Sequence, residues 1–375
     1  MSGRNWLPAS APIAIAAGGT GGHFFPAEAL AATLIARGRR VVLLTDARSG
    51  GLKSAVFAGG ETHILPGEGI AGRSLLQAAK ALLALTIGVF RAWSVMSRLG
   101  AGALVGFGGY PCVPPVVATR LLRRRPAVIL HEQNAVLGRA NRSQAAMAKC
   151  LALSFAGTTR VPSGTRTELT GNPVRPAIAA LAGAPYPAAG ETISLLILGG
   201  SLGARVFSDV VPAALLALPD SLRARLHVTQ QCRPEDLERV RSAYAAAGIR
   251  ADLAPFFGDV ADRLRDAHLA IARAGASTVS ELAVVGRPAI LVPLPGAIDD
   301  HQTGNARALA DAGGAWLMPQ TAFTPEALTA KLTELLNDPA ALAAAAAAAR
   351  TQARPNAANA LADLVESLMN QEAIA

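Results

Sequence analysis

The sequence predicts an α/β protein made of two Rossmann-like domains, each with a doubly wound parallel sheet, facing one another across a cleft. Short apolar runs alternate with longer Ala- and Leu-rich helical stretches through the whole chain of 375 residues. Strands that are buried on both faces of a parallel sheet have such continuously apolar sequences. The chain also exceeds the length of one ordinary core. Each half opens with an apolar strand that ends in glycines and leads into a helix.

The predicted strands form two series that a proline-rich segment separates. The first series contains the runs at 12–17, 40–45, 103–107, 127–132 and 150–155, and the second contains those at 193–198, 226–230, 268–273 and 289–293. Between them, two prolines in the segment GNPVRP, at 171–176, stop regular structure. We therefore expect an N-terminal domain over 12–172 and a C-terminal domain over 173–354, with a last amphipathic helix at about 357–369.

The composition narrows the classes of partner. The chain has 35 Lys and Arg against 26 Asp and Glu, a formal net charge of +9. Such an excess attracts polyanions, namely nucleic acid, anionic lipid headgroups or a phosphorylated substrate. The sequence lacks zinc-finger spacing and an aromatic RNA-binding signature, so we expect no nucleic-acid partner. Its three cysteines stand far apart, which is typical of a reducing compartment and indicates neither a disulfide framework nor a metal cluster.

The glycine-rich segment GGTGGH, at 18–23, follows the first strand and precedes a helix. Glycines let the backbone approach a ligand, and the N–H groups at a helix start favour an anion. A tight turn would need only one or two of these glycines. A dinucleotide-binding loop is the alternative, because Asp46 stands at about the distance that its fingerprint requires. However, Phe24 occupies the position of the third glycine of that fingerprint.

Three segments of the second half also follow strands and carry small or polar side chains. The loop GGSLGA, at 199–204, offers backbone amides and the Ser201 hydroxyl to a phosphate, although a simple turn is the alternative. The segment 273–281 places N–H groups at a helix start, and Glu281 stands where a carboxylate could accept the hydroxyls of a ribose. The segment DDHQTGNA, at 299–306, has the polar side chains that recognition of a sugar requires.

Seven motifs stand in the order found in the MurG family, the UDP-N-acetylglucosamine:undecaprenyl-diphospho-muramoylpentapeptide N-acetylglucosaminyltransferases. They are GGTGGH, GFGGYPCVPP at 106–115, HEQN at 131–134, GNPVR at 171–175, GGSLGA, GASTVSE at 275–281, and DHQ with NA at 300–306. The resemblance covers about residues 12 to 320. It implies the GT-B fold, with the acceptor and the membrane at the N-terminal domain, UDP-GlcNAc in the C-terminal domain, and the last helix packed back on the first domain.

The resemblance also implies which side chains contact UDP-GlcNAc. The donor-binding set in the second half would be Arg175, Ser201, Phe257, Ala276, Ser277, Thr278, Val279, Ser280 and Glu281, with Glu281 holding the ribose. The GlcNAc ring would be read by His301 and Gln302 and, from the opposite domain, by Thr20, Gly21, Gly22 and Asn134.

The implied reaction is an inverting transfer of GlcNAc to the C4 hydroxyl of undecaprenyl-diphospho-muramoyl-pentapeptide, a step of peptidoglycan synthesis. This reaction needs a general base and stabilisation of the departing diphosphate. His23 matches the base proposed for the family, since histidine changes charge near neutral pH, and Glu132 is the second candidate. The sequence has no Asp-x-Asp motif, so we expect no metal site and no cofactor, with helix-terminal amides and hydroxyls carrying the diphosphate charge.

A lipid-linked acceptor requires contact with a membrane. The side chains of Leu83, Ile87, Phe90 and Trp93 recur at helical spacing, and Lys80 precedes them. A basic-flanked apolar helix face predicts an anchor on an anionic membrane surface, although packing in the core is the alternative. The resemblance therefore implies a peripheral enzyme on the cytoplasmic face of the bacterial inner membrane that serves cell-wall biogenesis and, through it, cell shape and division.

Three other functions fit parts of the sequence. A nucleotide-sugar epimerase of the same fold would use UDP-GlcNAc without a lipid acceptor, but the HEQN motif and the amphipathic segment 80–93 favour the transferase. An NAD-dependent oxidoreductase is disfavoured by Phe24. A membrane-associated scaffold that binds the nucleotide-sugar without turnover is the non-catalytic alternative.

Overall fold

The computed structural model describes residues 11–18, 21–47, 54–66, 75–188, 190–200 and 203–374, without the side chains of 75–79, 82 and 372–374. The described residues divide into two compact units, and the chain passes from one to the other after Arg175 and again after Pro355. Each unit is built on one parallel sheet, of seven strands in unit 1 and six in unit 2. The predicted pair of parallel-sheet α/β domains is therefore confirmed.

Unit 1 follows strand–helix alternation from its first strand. Its elements are β1 (Ile13–Ala16), α1 (Gly21–Ala36), β2 (Val41–Thr45), β3 (Glu61–Ile64), α2 (Leu75–Leu99), β4 (Ala103–Gly106), α3 (Val113–Ala118), β5 (Ala127–Glu132), α4 (Arg139–Gln144), β6 (Cys150–Leu153) and β7 (Thr167–Leu169). The strand order is β3-β2-β1-β4-β5-β6-β7. The order reverses between β1 and β4, which pair in parallel with Ile13 beside Ala103.

Unit 2 repeats this design. Its elements are α5 (Pro176–Ala179), β8 (Ile193–Leu198), α6 (Arg205–Leu216), α7 (Asp220–Arg223), β9 (Leu226–Gln231), α8 (Leu237–Ala246), β10 (Arg250–Ala254), α9 (Val260–Asp266), β11 (Leu269–Ala272), α10 (Ala276–Val285), β12 (Ala289–Leu291), α11 (His301–Ala310), β13 (Ala315–Leu317), α12 (Pro325–Leu336) and α13 (Pro339–Thr351). The strand order is β10-β9-β8-β11-β12-β13, and it reverses between β8 and β11.

The last helix, α14 (Ala357–Ile374), belongs to unit 1 although it follows unit 2 in the chain. Leu361, Val365 and Leu368 stand on one helical face and are buried in a core of unit 1. The Glu366 carboxylate accepts hydrogen bonds from Arg39 at 2.6 Å and from Arg37 at 2.9 Å, near the end of α1. Apolar burial and ion pairing therefore dock the two helices.

The sheet of unit 1 separates two cores, as the two-residue period of a strand requires. From β1, Ile13 and Ile15 enter the core that contains α1 and α14. The neighbouring Ala14 and Ala16 enter the core on the other face, with buried side chains of α2 and α3. Because helices cover both faces, ligands can reach the sheet only at its strand ends.

Candidate active site

Most of the predicted site residues of both units follow the carboxyl ends of strands at, or one strand beyond, the point where strand order reverses. In unit 1, β1 leads to the glycine-rich segment, β4 leads to Gly108 and Gly109, and β5 leads to HEQN. In unit 2, β8 leads to the second glycine-rich loop, β11 to α10, and β12 to α11. Open α/β sheets bind their ligands at this place.

In unit 1, helix α1 begins at Gly21, so Gly21, Gly22 and His23 lie in its first turn. The glycines after β4 border the His23 imidazole. Gly108 and Gly109 have φ angles of 79° and 68°, which favour glycine. A Cβ atom added to Gly109 would lie 3.6 Å from Nε2 of His23, and one added to Gly108 would lie 3.6 Å from Cε1.

The other side of the imidazole contacts the HEQN segment. Nδ1 of His23 lies 3.0 Å from Oε1 of Gln133. The Gln133 amide nitrogen donates to the Phe107 carbonyl at 3.0 Å and lies 3.1 Å from Nδ1 of His131. Nε2 of His131 lies 3.0 Å from the Gly171 carbonyl. Complete burial lowers the pKa of His131 to about 4, so its imidazole is neutral at neutral pH.

Glu132 is buried and its carboxylate is saturated with hydrogen bonds. Oε1 accepts from the Asn134 backbone N–H at 3.0 Å and from the Asn134 amide at 3.1 Å. Oε2 accepts from the Gly138 backbone N–H and from the Asn141 amide, both at 2.9 Å. A carboxylate with four donors organises the loop between β5 and α4 and sets the position of Asn134.

In unit 2, the first turns of α10 carry the candidate diphosphate and ribose contacts. Ala276 and Val279 are buried, so they can offer a ligand little beyond their backbone. Ser277, Thr278, Ser280 and Glu281 are partly exposed. The Ser277 hydroxyl oxygen is itself buried and has no hydrogen-bond partner within the described part of the chain. Ser277 is the second residue of α10, in the turn whose backbone N–H groups have no acceptor within the helix.

The segment between β12 and α11 orients His301 and Gln302. Asp299 and Asp300 adopt left-handed conformations with φ angles of 57° and 54°, directly before α11. Nδ1 of His301 donates to the Ile298 carbonyl at 2.8 Å, which leaves Nε2 as the second polar atom of the ring. Oε1 of Gln302 accepts from the Leu294 backbone N–H at 2.9 Å, so its amide NH₂ is the group that can donate to a ligand.

The remaining described residues of the predicted site, Phe257 and Arg175, belong to different units. Phe257 is buried, and the Arg263 guanidinium lies 4.3 Å from the centre of its ring. Arg175 is partly exposed at the end of unit 1. Thr20 and Ser201 lie outside the described residues. No group of three His, Cys, Asp or Glu side chains that could hold a metal ion occurs in the described ranges.

The predicted membrane segment lies in α2 and exposes its apolar side chains. The exposed fractions are 61% for Leu83, 45% for Ile87, 59% for Phe90 and 42% for Trp93. Lys80 and Arg91 are exposed as well. The described helices include none that is both long and apolar enough to cross a membrane.

Two family models match this chain and cover both units. The glycosyltransferase family 28 N-terminal domain matches residues 13–153, and the glycosyltransferase family 28 C-terminal domain matches residues 194–361. The chain belongs to glycosyltransferase family 28. The assignment to the GT-B fold and the prediction of a glycosyltransferase are therefore confirmed.

Individual relatives of this family 28 glycosyltransferase are similar over nearly their whole length. A protein of Granulibacter bethesdensis is 64% identical over 96% of this chain and 95% of its own. It is named UDP-N-acetylglucosamine–N-acetylmuramyl-(pentapeptide) pyrophosphoryl-undecaprenol N-acetylglucosamine transferase. The crystal structure of Acinetobacter baumannii MurG aligns with a TM-score of 0.78 at 33% identity, covering 95% of this chain and 99% of that one. The resemblance to the MurG family is thereby confirmed.

The epimerase alternative is not favoured. A protein from Listeria monocytogenes that is assigned as a UDP-N-acetylglucosamine 2-epimerase has a TM-score of 0.65 over 96% of this chain and 97% of its own. Its sequence identity is only 15%, so the likeness extends to the fold alone.

Within the HEQN motif, the sequence predicts Glu132 and Asn134 as site residues but not His131 or Gln133. The structure joins both of them to His23 through hydrogen bonds. Their place in the same motif was the available signal.

Proposed function

We propose that this glycosyltransferase moves GlcNAc from UDP-GlcNAc to the C4 hydroxyl of undecaprenyl-diphospho-muramoyl-pentapeptide, with inversion at the anomeric carbon, in peptidoglycan synthesis. The observation that carries the proposal is the 64% identity, over almost the full length of both chains, to a relative whose name states that transfer. In this reaction the acceptor hydroxyl loses a proton, its oxygen forms the bond to the anomeric carbon, and UDP departs with the bonding electron pair.

We assign the role of general base to Nε2 of His23. The imidazole is partly exposed in the first turn of α1, and its Nε2 edge is bordered by Gly109, which has no side chain to obstruct an acceptor. Glu132 is the weaker candidate because its two oxygens already accept from four donors. Its proposed role is to hold Asn134 for contact with the sugar.

Unit 2 offers the groups that the departing UDP requires. The first N–H groups of α10, together with the Ser277 and Thr278 hydroxyls, can stabilise the developing diphosphate charge, because a helix N-terminus favours anions. Glu281, one turn further along α10, is proposed to accept from the ribose hydroxyls. From the start of α11, Nε2 of His301 can accept from a sugar hydroxyl, and the Gln302 amide can donate to a sugar oxygen. Arg175, Phe257 and Ser201 complete the proposed donor set.

The exposed face of α2 is proposed to rest on the cytoplasmic surface of the inner membrane, where the lipid-linked acceptor lies. Moving its four large apolar side chains from water into the membrane would contribute a favourable free energy of roughly 25 cal/mol for each Å² of apolar surface buried. The adjacent Lys80 and Arg91 can contact anionic headgroups. Membrane attachment of this kind is peripheral, and the wider roles in cell shape and division would follow from cell-wall synthesis.

The reaction is tested with labelled UDP-GlcNAc and a lipid-linked muramoyl-pentapeptide acceptor. We expect acceptor-dependent transfer with stoichiometric release of UDP. His23→Ala should lower kcat by about 10²- to 10⁴-fold, the usual contribution of a general base, while UDP-GlcNAc still binds. His63→Ala is the matched control, since His63 lies in β3 and pairs with Glu61. Binding or epimerisation of UDP-GlcNAc without any transfer would overturn the proposed reaction.

Membrane contact is tested separately by sedimentation with vesicles that contain anionic phospholipid. Phe90→Ser should weaken binding by about 10- to 150-fold, because burying a Phe side chain contributes about 1.5–3 kcal/mol. Ile35→Ser is the control, since Ile35 is a 46% exposed apolar residue of α1. Equal vesicle binding by the two variants would contradict the assignment of α2 as the membrane face.

A further inference from the structure

His131 and Gln133 are buried polar residues that the proposed reaction does not use. Their exposed fractions are 0% and 2%. Buried polar groups in proteins are held by hydrogen bonds whose directions are set by which atoms can donate. Here two backbone carbonyls fix the directions of the hydrogen bonds, because a carbonyl oxygen can accept a hydrogen bond but cannot donate one.

The first fixed point is the Phe107 carbonyl, 3.0 Å from the Gln133 amide nitrogen. The same nitrogen lies 3.1 Å from Nδ1 and 3.4 Å from the backbone carbonyl of His131, and because an amide nitrogen only donates, both atoms are acceptors. The Gly171 carbonyl, 3.0 Å from Nε2 of His131, is the second fixed point and requires the ring proton on Nε2. Both carbonyls thus require the same orientation of the Gln133 amide, with its nitrogen toward Phe107 and His131.

The determined amide orientation decides the protonation of His23. Oε1 of Gln133 is an acceptor, and it lies 3.0 Å from Nδ1 of His23. Nδ1 of His23 must therefore carry the proton in the neutral ring, which leaves the lone pair on Nε2. When Nε2 takes up a proton, Nδ1 continues to donate to Gln133, and no hydrogen bond of the series has to reverse.

We propose that Gln133, itself oriented by His131, is a positioning residue that holds the His23 imidazole in the tautomer whose Nε2 receives the proton of the acceptor hydroxyl. This inference rests on the proposed role of His23 as general base. Gln133 does not touch the reacting atoms in this assignment. It acts by excluding the tautomer in which Nε2 carries the proton and cannot accept another.

The test is Gln133→Met, which keeps the length of the side chain and removes the amide. Gln144→Met is the matched control, because Gln144 is also a buried glutamine of unit 1, and its amide donates within α4 to the Ala140 carbonyl. The full-length variants are compared by the ¹⁵N resonances of the His23 ring, by kcat, and by the dissociation constant for UDP-GlcNAc.

In the wild-type enzyme we expect Nδ1 of neutral His23 to show the resonance of a protonated ring nitrogen and Nε2 that of an unprotonated one. Gln133→Met should shift His23 toward a mixture of tautomers and lower kcat by about two- to fivefold, in proportion to the fraction of His23 that leaves the reactive tautomer. Its dissociation constant for UDP-GlcNAc should stay within twofold of wild type. Gln144→Met should match wild type in all three measurements.

An unchanged tautomer in Gln133→Met, or a wild-type His23 that carries its proton on Nε2, would overturn the inference even if His23→Ala abolishes transfer. Conversely, full activity in His23→Ala would remove the base assignment, while the ring resonances would still report whether Gln133 sets the tautomer. The two failures are therefore distinguishable.

Discussion

Replacing Glu132 with glutamine separates a structural role of this carboxylate from a catalytic one. Glutamine keeps the shape of the side chain but turns one oxygen into an NH₂ group. Each Glu132 oxygen accepts from one backbone N–H and one asparagine amide. Whichever way the new amide turns, its NH₂ group faces two donors, and one of them is a backbone N–H that cannot rotate away.

The magnitude follows from those two lost acceptors. A buried donor that is left without an acceptor costs about 1–3 kcal/mol, so Glu132→Gln should destabilise unit 1 by roughly 2–6 kcal/mol. Differential scanning calorimetry measures the loss. Glu61→Gln is the control, because Glu61 is an exposed carboxylate that bonds Arg40 and His63. Its replacement should cost at most about 1 kcal/mol.

One result would refute this reasoning. If Glu132→Gln unfolds at the same temperature as Glu61→Gln and yet loses transfer activity by 10³-fold or more, the carboxylate is not held as a structural acceptor. Glu132 would then replace His23 as the favoured base.

Three further outcomes are expected. Glu366→Gln should lower the free energy of unfolding by about 1 kcal/mol at neutral pH. Burial raises the pKa of the Glu366 carboxyl, but the hydrogen bonds from its two arginine partners lower the pKa by more, so the net pKa is below the usual value. The loss should therefore vanish when the pH falls below that pKa. Gly314→Ala should lower the unfolding temperature of unit 2 by overpacking worth about 1–3 kcal/mol, since its Cβ would lie 2.6 Å from the Cα of Ala349. Gly258→Ala, with open space around it, should not. The free energy of unfolding of wild-type unit 1 should fall by roughly 3 kcal/mol between pH 6.5 and 4. Burial lowers the folded-state pKa of His131 to about 4, so in this pH range His131 is protonated only in the unfolded chain. In urea unfolding, His131→Gln should flatten this dependence on pH.

The sequence predicted the central strands well and missed the edge strands. The run at 12–17 contains β1, and the run at 268–273 contains β11. Strands β3, β7, β10 and β13 were not predicted, and all four stand at the edges of their sheets. Strands β3, β7 and β10 are partly exposed and contain polar residues, so they lack the continuous apolar run that marks a strand covered on both sides. Strand β13 is apolar, but it is only three residues long.

The candidate site was predictable where a motif stands at the end of a strand. His23 and Glu281 follow glycine-rich or small-residue segments that the local pattern reveals. The HEQN motif draws attention to Gln133, but the role of Gln133 could not be assigned from the motif alone, because that role depends on partners 110 and 26 positions away in the chain, at His23 and Phe107. Contacts of such sequence separation are fixed by strand order, which no local pattern contains.

The return of α14 to unit 1 has a consequence for how the protein is made. Unit 2 is one continuous stretch of chain, whereas unit 1 lacks a helix of its core until α14, which follows unit 2 in the chain, has been synthesised. On the ribosome, unit 2 can complete its fold while the apolar surface of α1 and β1 still awaits α14. The domain whose sequence is translated first is therefore the one that finishes folding last, which reverses the usual order along a growing chain.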